Sequence, residues 1–245
     1  MTAPPTAATR RVRARRGEGD RLRDEILVAA RDLLAETGSE DAVSLRAVAA
    51  RVGVSTPSIY LHFADKQALL DAVCEQVFAA LDEQLEAAAG SARSPFEALR
   101  LAGLAYVTFG VENPEHYRIV FLVRRSSSPA HDLMIASDVF QHFVARVAAC
   151  VEAGVLVGDP VALATTLWAS AHGVTSLLVS KPNWPWQDVE MLVDLVIRTA
   201  GLGLAISGRM DPALTDPETT PDQLGDAVEV AGRELAAALR RLPAG

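Results

Sequence analysis

SLRAVAARVGVSTPSIYLHFADK, residues 44–66, reads as two short helices joined by a glycine turn. Ser44 is placed to accept from orphan N–H groups as an N-cap, and Leu45, Val48, Ala49 and Val52 recur at three-to-four spacing to give one apolar face. Gly53 supplies a backbone that tolerates a sharp reversal. Ser55 or Thr56 then caps a second helix, with Pro57 in its first turn, where one N–H is orphaned anyway. Ile59 and Phe63 are spaced to pack inward, which leaves Thr56, Ser58, Tyr60, Leu61 and His62 outward. Hydroxyls, a phenol and an imidazole on a short projecting helix suit phosphates and base edges in a major groove.

The segment resembles the DNA-binding end of the tetracycline repressor (TetR) family through Ser44, Val48, Ala49, Gly53, Val54, Ser55, Ile59, Tyr60, His62, Phe63, Lys66 and Leu69. The resemblance implies a helix-turn-helix that reads a double-stranded DNA operator. By register on that motif, Arg46, Thr56, Pro57 and Ser58 fall where family members touch bases, and Ser44, Tyr60, His62 and Lys66 fall near phosphates. Ser55 completes the expected DNA-binding set. Arginine suits the base role because its fork grips guanine O6 and N7 together. Leu61 departs from the pattern as an apolar residue, placed to meet a sugar or methyl group or to cover the next helix.

A net charge of -8 runs against a DNA partner until it is divided along the chain. Residues 1–66 hold 11 Arg or Lys against 9 Asp or Glu, whereas the remainder holds 12 against 22. Seven arginines precede residue 24, so positive potential gathers just ahead of the helix-turn-helix. The arginine pairs at 10–11 and 15–16 lack the apolar stretch an export signal requires, and Cys74 and Cys150 show no C-x-x-C spacing. A cytoplasmic chain without disulfides is the expectation. The uncharged run from Val161 to Ser180 has the length of a membrane span, but its Thr, Ser, His and Gly content predicts a buried helix and no membrane role.

Half of the residues are apolar, aromatics are few and no strand alternation competes, so the fold class is all-α. Residues 1–18, rich in Ala, Pro, Thr and Arg, read as a disordered basic arm. Residues 19–66 read as a three-helix head, with Ile26, Ala29, Ala30, Leu33 and Leu34 striping a first helix that ends before Gly38. Residues 67–208 read as a helical body, which the resemblance implies is the effector-binding and dimerisation domain. Its helices are predicted near 66–89, 95–111, 114–123, 132–153, 160–180 and from Pro185 or Trp186 to Ile206, most of them marked by cap-then-proline or glycine-stop signals. Residues 209–245 comprise an acidic, proline-rich linker and a last amphipathic helix. Its stripe of Leu224, Val228, Ala231, Leu235, Leu239 and Leu242 requires a surface to dock on, either its own body or a partner subunit.

For the body, the resemblance implies a homodimer in which the last two body helices of each subunit build a four-helix bundle, and a pocket for a small-molecule effector. Ala164, Trp168, Ala171, Thr175 and Leu178 offer a seam of mostly small residues, continued by Leu192, Leu195, Val196, Thr199, Leu202 and Ile206. The Trp168 to Gly173 and Asn113 to Arg118 stretches resemble a TetR subgroup with a Trp and His-Gly signature. Tyr106, Phe109, His116, Tyr117, Phe121, Met134, Phe140, Phe143, Trp168 and His172 are the effector-pocket candidates, for a largely apolar ligand held by few polar anchors. The histidines lack H-x-x-x-H spacing, so no metal or other cofactor is expected. Catalytic signatures such as G-x-S-x-G are missing, so an enzyme is not expected. The reading is a repressor released from a palindromic operator by its effector. The alternative is a helical ligand-binding or adaptor protein whose head contacts protein, for which Arg46→Ala leaves DNA binding weak and equally unspecific.

Overall fold

The computed structural model describes residues 18–122, 137–215 and 219–242, and among these every regular element is helical. They form α1 (Glu18–Thr37), α2 (Leu45–Val52), α3 (Thr56–Tyr60), α4 (Lys66–Ala89), α5 (Pro95–Glu112), α6 (Pro114–Tyr117), α7 (Asp138–Glu152), α8 (Pro160–Ser180), α9 (Val189–Ser207) and α10 (Pro221–Arg240). Short 3-10 turns lie at Glu40–Ala42 and Pro212–Thr215, and a π-turn follows α6 at Arg118–Leu122. The basic arm ahead of Glu18, His131 and Met134 lie outside the described residues.

Packing divides the chain into two compact units, Met1–Phe78 with Glu115–Leu133, and Ala79–Pro114 with Met134–Gly245. The first unit is built on α1, which packs on α2, as α2 does on α3. Its interior is aliphatic: Ile26, Leu27, Val43, Val48, Ile59, Leu69 and Val73 are all fully buried. Each such side chain contributes about 1.5–3 kcal/mol by leaving water. Arg51 clamps the outer edge by donating to both carboxylate oxygens of Glu36, at 2.8 and 2.5 Å. Arg23 lies 5.3 Å over the Phe63 ring, so a cation covers the aromatic lid of this core.

In the second unit α5 and α8 form the centre, with α7 and α9 packed on both. Leu99, Val147, Cys150, Val155, Leu156, Leu163, Leu167, Ala205 and Leu235 meet in one core. Leu235 belongs to the last helix, so the C-terminal stripe folds back on its own body through Ala231, Leu235 and Ala238. The Thr220/Gln223 capping box forms as its sequence predicts. Close approach at the end of α9 is secured by Gly208, where an added Cβ would sit 2.7 Å from the Val157 carbonyl oxygen. Arg209 beside it donates to the Ala205 carbonyl in the last turn of α9 and to the Gly154 and Val155 carbonyls in the turn after α7, tying the two segments together.

Two expectations change. The helix expected from 185 or 186 begins at Val189, because Asp188 caps it by accepting from Met191 N, while Trp184 and Trp186 are held in the preceding turn by backbone bonds. The expected seam on α8 also faces the other way. Ala164, Ala171, Thr175 and Leu178 are buried in their own unit, and the exposed side of α8 carries Val161, Thr165, Ala169, Gly173 and Leu177. Pro160–Ser180, an apolar helix long enough to cross a bilayer, packs Leu163 and Leu167 into the body core and leaves Val161 and Leu177 exposed.

Candidate nucleic-acid interface and ligand site

The helix-turn-helix is assembled by short-range bonds. Ser44 Oγ accepts from Ala47 N at 3.1 Å and starts α2, and Gly53 ends it at φ 78°, a left-handed conformation that a side chain would strain. Gly53 N and Val54 N both donate to the Ala49 carbonyl, which closes the turn. Ser55 is the N-cap of α3, yet its hydroxyl makes no cap bond and instead meets Ser58 Oγ at 2.8 Å. The two hydroxyls therefore orient each other on the outward side of α3.

Below that surface Val48 and Ile59 are fully buried, and Phe63 is nearly so. Above it Ser44, Arg46, Ser55, Pro57 and Tyr60 are exposed, and Thr56, Ser58, His62 and Lys66 are half-buried. All nine expected DNA-contact residues thus lie in one short run with none inside the core. Leu61 is 83% exposed, so it does not cover the next helix. Arg51, the other arginine of α2, is occupied by Glu36, whose carboxyl it holds below the usual range mainly through their hydrogen bonds. Arg46 is thereby distinguished from its neighbour by tertiary contacts.

The pocket candidates divide between the two units. His116, Tyr117 and Phe121 belong to the first, where Tyr117 is buried and Phe121 stacks 6.0 Å edge-on to Phe78. In the second, Tyr106 of α5 meets Trp168 and His172 of α8. Trp168 Nε1 donates to Tyr106 Oη at 3.3 Å, and Tyr106 Oη lies 3.1 Å from His172 Nδ1. An indole only donates, so Tyr106 Oη accepts from Trp168, while the direction of its bond with His172 is set by the imidazole tautomer. The result is a connected polar chain within an apolar helix pair. Phe143 packs against the body core and Phe140 is buried, as ordinary core aromatics are.

Burial lowers the pKa of both His172 and His116 below the ordinary 6.5, with the Arg31 charge adding to the effect at His116 and Asp32 and Glu115 opposing it. The unfolded chain therefore binds protons first as pH falls below about 6.5. Stability is fully present above that pH and declines as pH drops toward the lowered folded values. A urea midpoint measured from pH 7.5 to 5 should fall through this window, and His172→Gln should flatten the decline without abolishing the share that His116 carries.

Residue spacing alone missed one cluster. Asp82 and Glu86, one turn apart on α4, meet His142 of α7 with ligand atoms within 4.8 Å of one another. His142 Nδ1 lies 2.8 Å from Asp82, and Arg146 pairs with Glu86, so these carboxylates face two basic side chains. The partners are some sixty residues apart in sequence, which no local motif reveals.

Comparison with known proteins matches residues 26–73 to the family described as bacterial regulatory proteins, tetR family, and residues 99–200 to the tetracyclin repressor-like C-terminal domain. The tetracycline repressor protein class A from transposon 1721 of Escherichia coli is 46% identical over 54 residues, 22% of this chain and 24% of that protein. The nucleoid occlusion factor SlmA of Edwardsiella ictaluri is 29% identical over 119 residues, 49% of this chain and 56% of that protein. This chain thus spans about a quarter and about half of those two relatives. Among solved structures, a protein of unknown function from Rhodococcus sp. RHA1 superposes with a TM-score of 0.62 at 28% identity, covering 75% of this chain and 95% of that one.

Proposed function

Since this chain belongs to the TetR family of DNA-binding transcriptional regulators, we propose that it is a repressor that grips a palindromic operator as a homodimer and leaves it when the body binds a small molecule. The observation that carries this reading is the division of the helix-turn-helix into a fully buried underside, Val48 and Ile59, and an outward run from Arg46 to Lys66. Arg46, Thr56, Pro57 and Ser58 read bases, Ser44, Tyr60, His62 and Lys66 engage the backbone, and Ser55 completes the contact set.

Homodimerisation uses the outward faces of α8 and α9. Val161 and Leu177 on α8, and Met191, Leu195 and Leu202 on α9, are each more than a third exposed, and between the first two lie small residues that permit close helix approach. The effector is a largely apolar molecule, and the Tyr106, Trp168 and His172 chain supplies its polar anchor. Binding there shifts α4 and alters the separation of the two heads, so that they no longer match successive major grooves. Linkage requires that the effector lose on DNA the same affinity factor that it takes from DNA. A cytoplasmic location follows from the operator partner.

Selection of bound sequences from a random duplex pool by the purified chain tests the reading. Enrichment of one two-fold symmetric site is expected, with half-sites about one helical turn, or a multiple of it, apart. Equal recovery of unrelated sequences at moderate salt would overturn it.

A further inference from the structure

The loop joining α8 to α9 contains two tryptophans in Lys181-Pro-Asn-Trp184-Pro-Trp186, and they are treated oppositely. Trp186 is folded back, with its indole N–H donating to the Lys181 carbonyl at 3.0 Å. Trp184 is 61% exposed although its backbone is pinned, Trp184 N donating to the same carbonyl and Trp186 N to the Trp184 carbonyl at 2.7 Å. The two rings lie 6.2 Å apart, so Trp186 also buttresses its neighbour. A large indole displayed on a hydrogen-bonded, proline-flanked turn is presented at little further entropic cost, unlike one on a floppy loop.

The chain on both sides of this loop presents an outward apolar surface. Leu177 on the last turn of α8 is 53% exposed, and Met191 on the first turn of α9 is 67% exposed. That surface is the dimer face assigned above, so the inference rests on the dimer reading.

We propose that Trp184 anchors the loop in a second copy of this chain, capping the helix interface at its edge. A two-fold interface repeats the contact, so each dimer holds two such anchors. Tryptophan is enriched among residues whose truncation costs an interface most, because it excludes much water from few rotatable bonds.

Sedimentation equilibrium of the full chain, as wild type, Trp184→Ala and Trp184→Phe, tests this. The alanine variant should raise the dimer dissociation constant at least tenfold with unchanged circular dichroism, and the phenylalanine variant should recover most of the loss. Acrylamide quenching of Trp184, taken as the difference between wild type and Trp184→Phe, should fall as the wild type dimerises. A wild type that dimerises while Trp184→Ala matches it, or while Trp184 stays fully quenchable, overturns the anchor and leaves the dimer reading intact. A wild type that is monomeric at every concentration overturns both.

Discussion

Alanine at position 59 is expected to abolish operator binding without a single DNA-contact residue having been touched. Ile59 is fully buried and is the only buried residue of the five-residue α3, so this short helix owes its seat on α2 largely to that one side chain. A five-residue helix has no stability of its own in water, since nucleation costs more than one turn of hydrogen bonds returns. Removing three carbons from such a site costs about 2–5 kcal/mol through the forfeited transfer free energy and the residual cavity. At 1.4 kcal/mol per tenfold, that lowers the seated population roughly 30-fold to several thousandfold, against a total stability of about 5–15 kcal/mol. Full-length Ile59→Ala should keep most of its helical circular dichroism yet lose sequence-selective binding. Ile59→Val should retain it, because the smaller cavity costs only about 0.5–1.5 kcal/mol. Equal affinities for wild type and Ile59→Ala would mean that α3 is held by something other than its core contact.

Arg46→Ala should produce the second large effect, this time with the fold untouched. Arg46 is exposed on α2, so its removal leaves no cavity. A bidentate contact to guanine discriminates by about 1–3 kcal/mol, and a symmetric dimer makes it twice. The expected loss on the selected operator is therefore roughly 30-fold to 20,000-fold, with specificity relaxed at one base pair in each half-site. Arg46→Lys should recover little, because a point charge does not reproduce the planar fork. Lys66→Ala supplies the contrast: deleting a cation that pairs with a phosphate should weaken all sequences alike and reduce the salt dependence by about one charge per subunit. Gel-shift titrations of the selected site and of single-base variants separate these patterns. Uniform weakening by Arg46→Ala across all of them would assign Arg46 to the backbone.

The head and most helix starts are legible in the sequence because their signals are short-range. The Ser44 cap, the Gly53 reversal, the Asp159 and Thr220 caps and the prolines at helix starts each act within four residues, and each formed where its spacing demanded. The outward set on α3 followed from the same periodicity, since Ile59 and Phe63 leave only one side for Tyr60 and Leu61. Local rules served less well where two stabilising choices competed within a few residues. Pro185 and Trp186 looked like a helix start, but the Lys181 carbonyl captured the loop and Asp188 offered the better cap.

The amino-acid sequence by itself determined that the chain is all-helical, where most helices begin and end, and that residues 44–66 make a helix-turn-helix, because capping, turn and periodicity are decided by neighbours along the backbone. Tertiary structure alone decided which side of α8 meets the core, since a helix apolar nearly all round carries no period that distinguishes inside from outside. It also joined Tyr106 to Trp168 and His172 across more than sixty residues, and gave Arg51 to Glu36 while leaving Arg46 exposed. The last stripe was docked only in part, with Leu235 in the core and Leu224 left 42% exposed on the same face. Those outcomes depend on which surfaces meet once helices pack, and the free energy of that meeting is a property of the pair, which neither segment encodes alone.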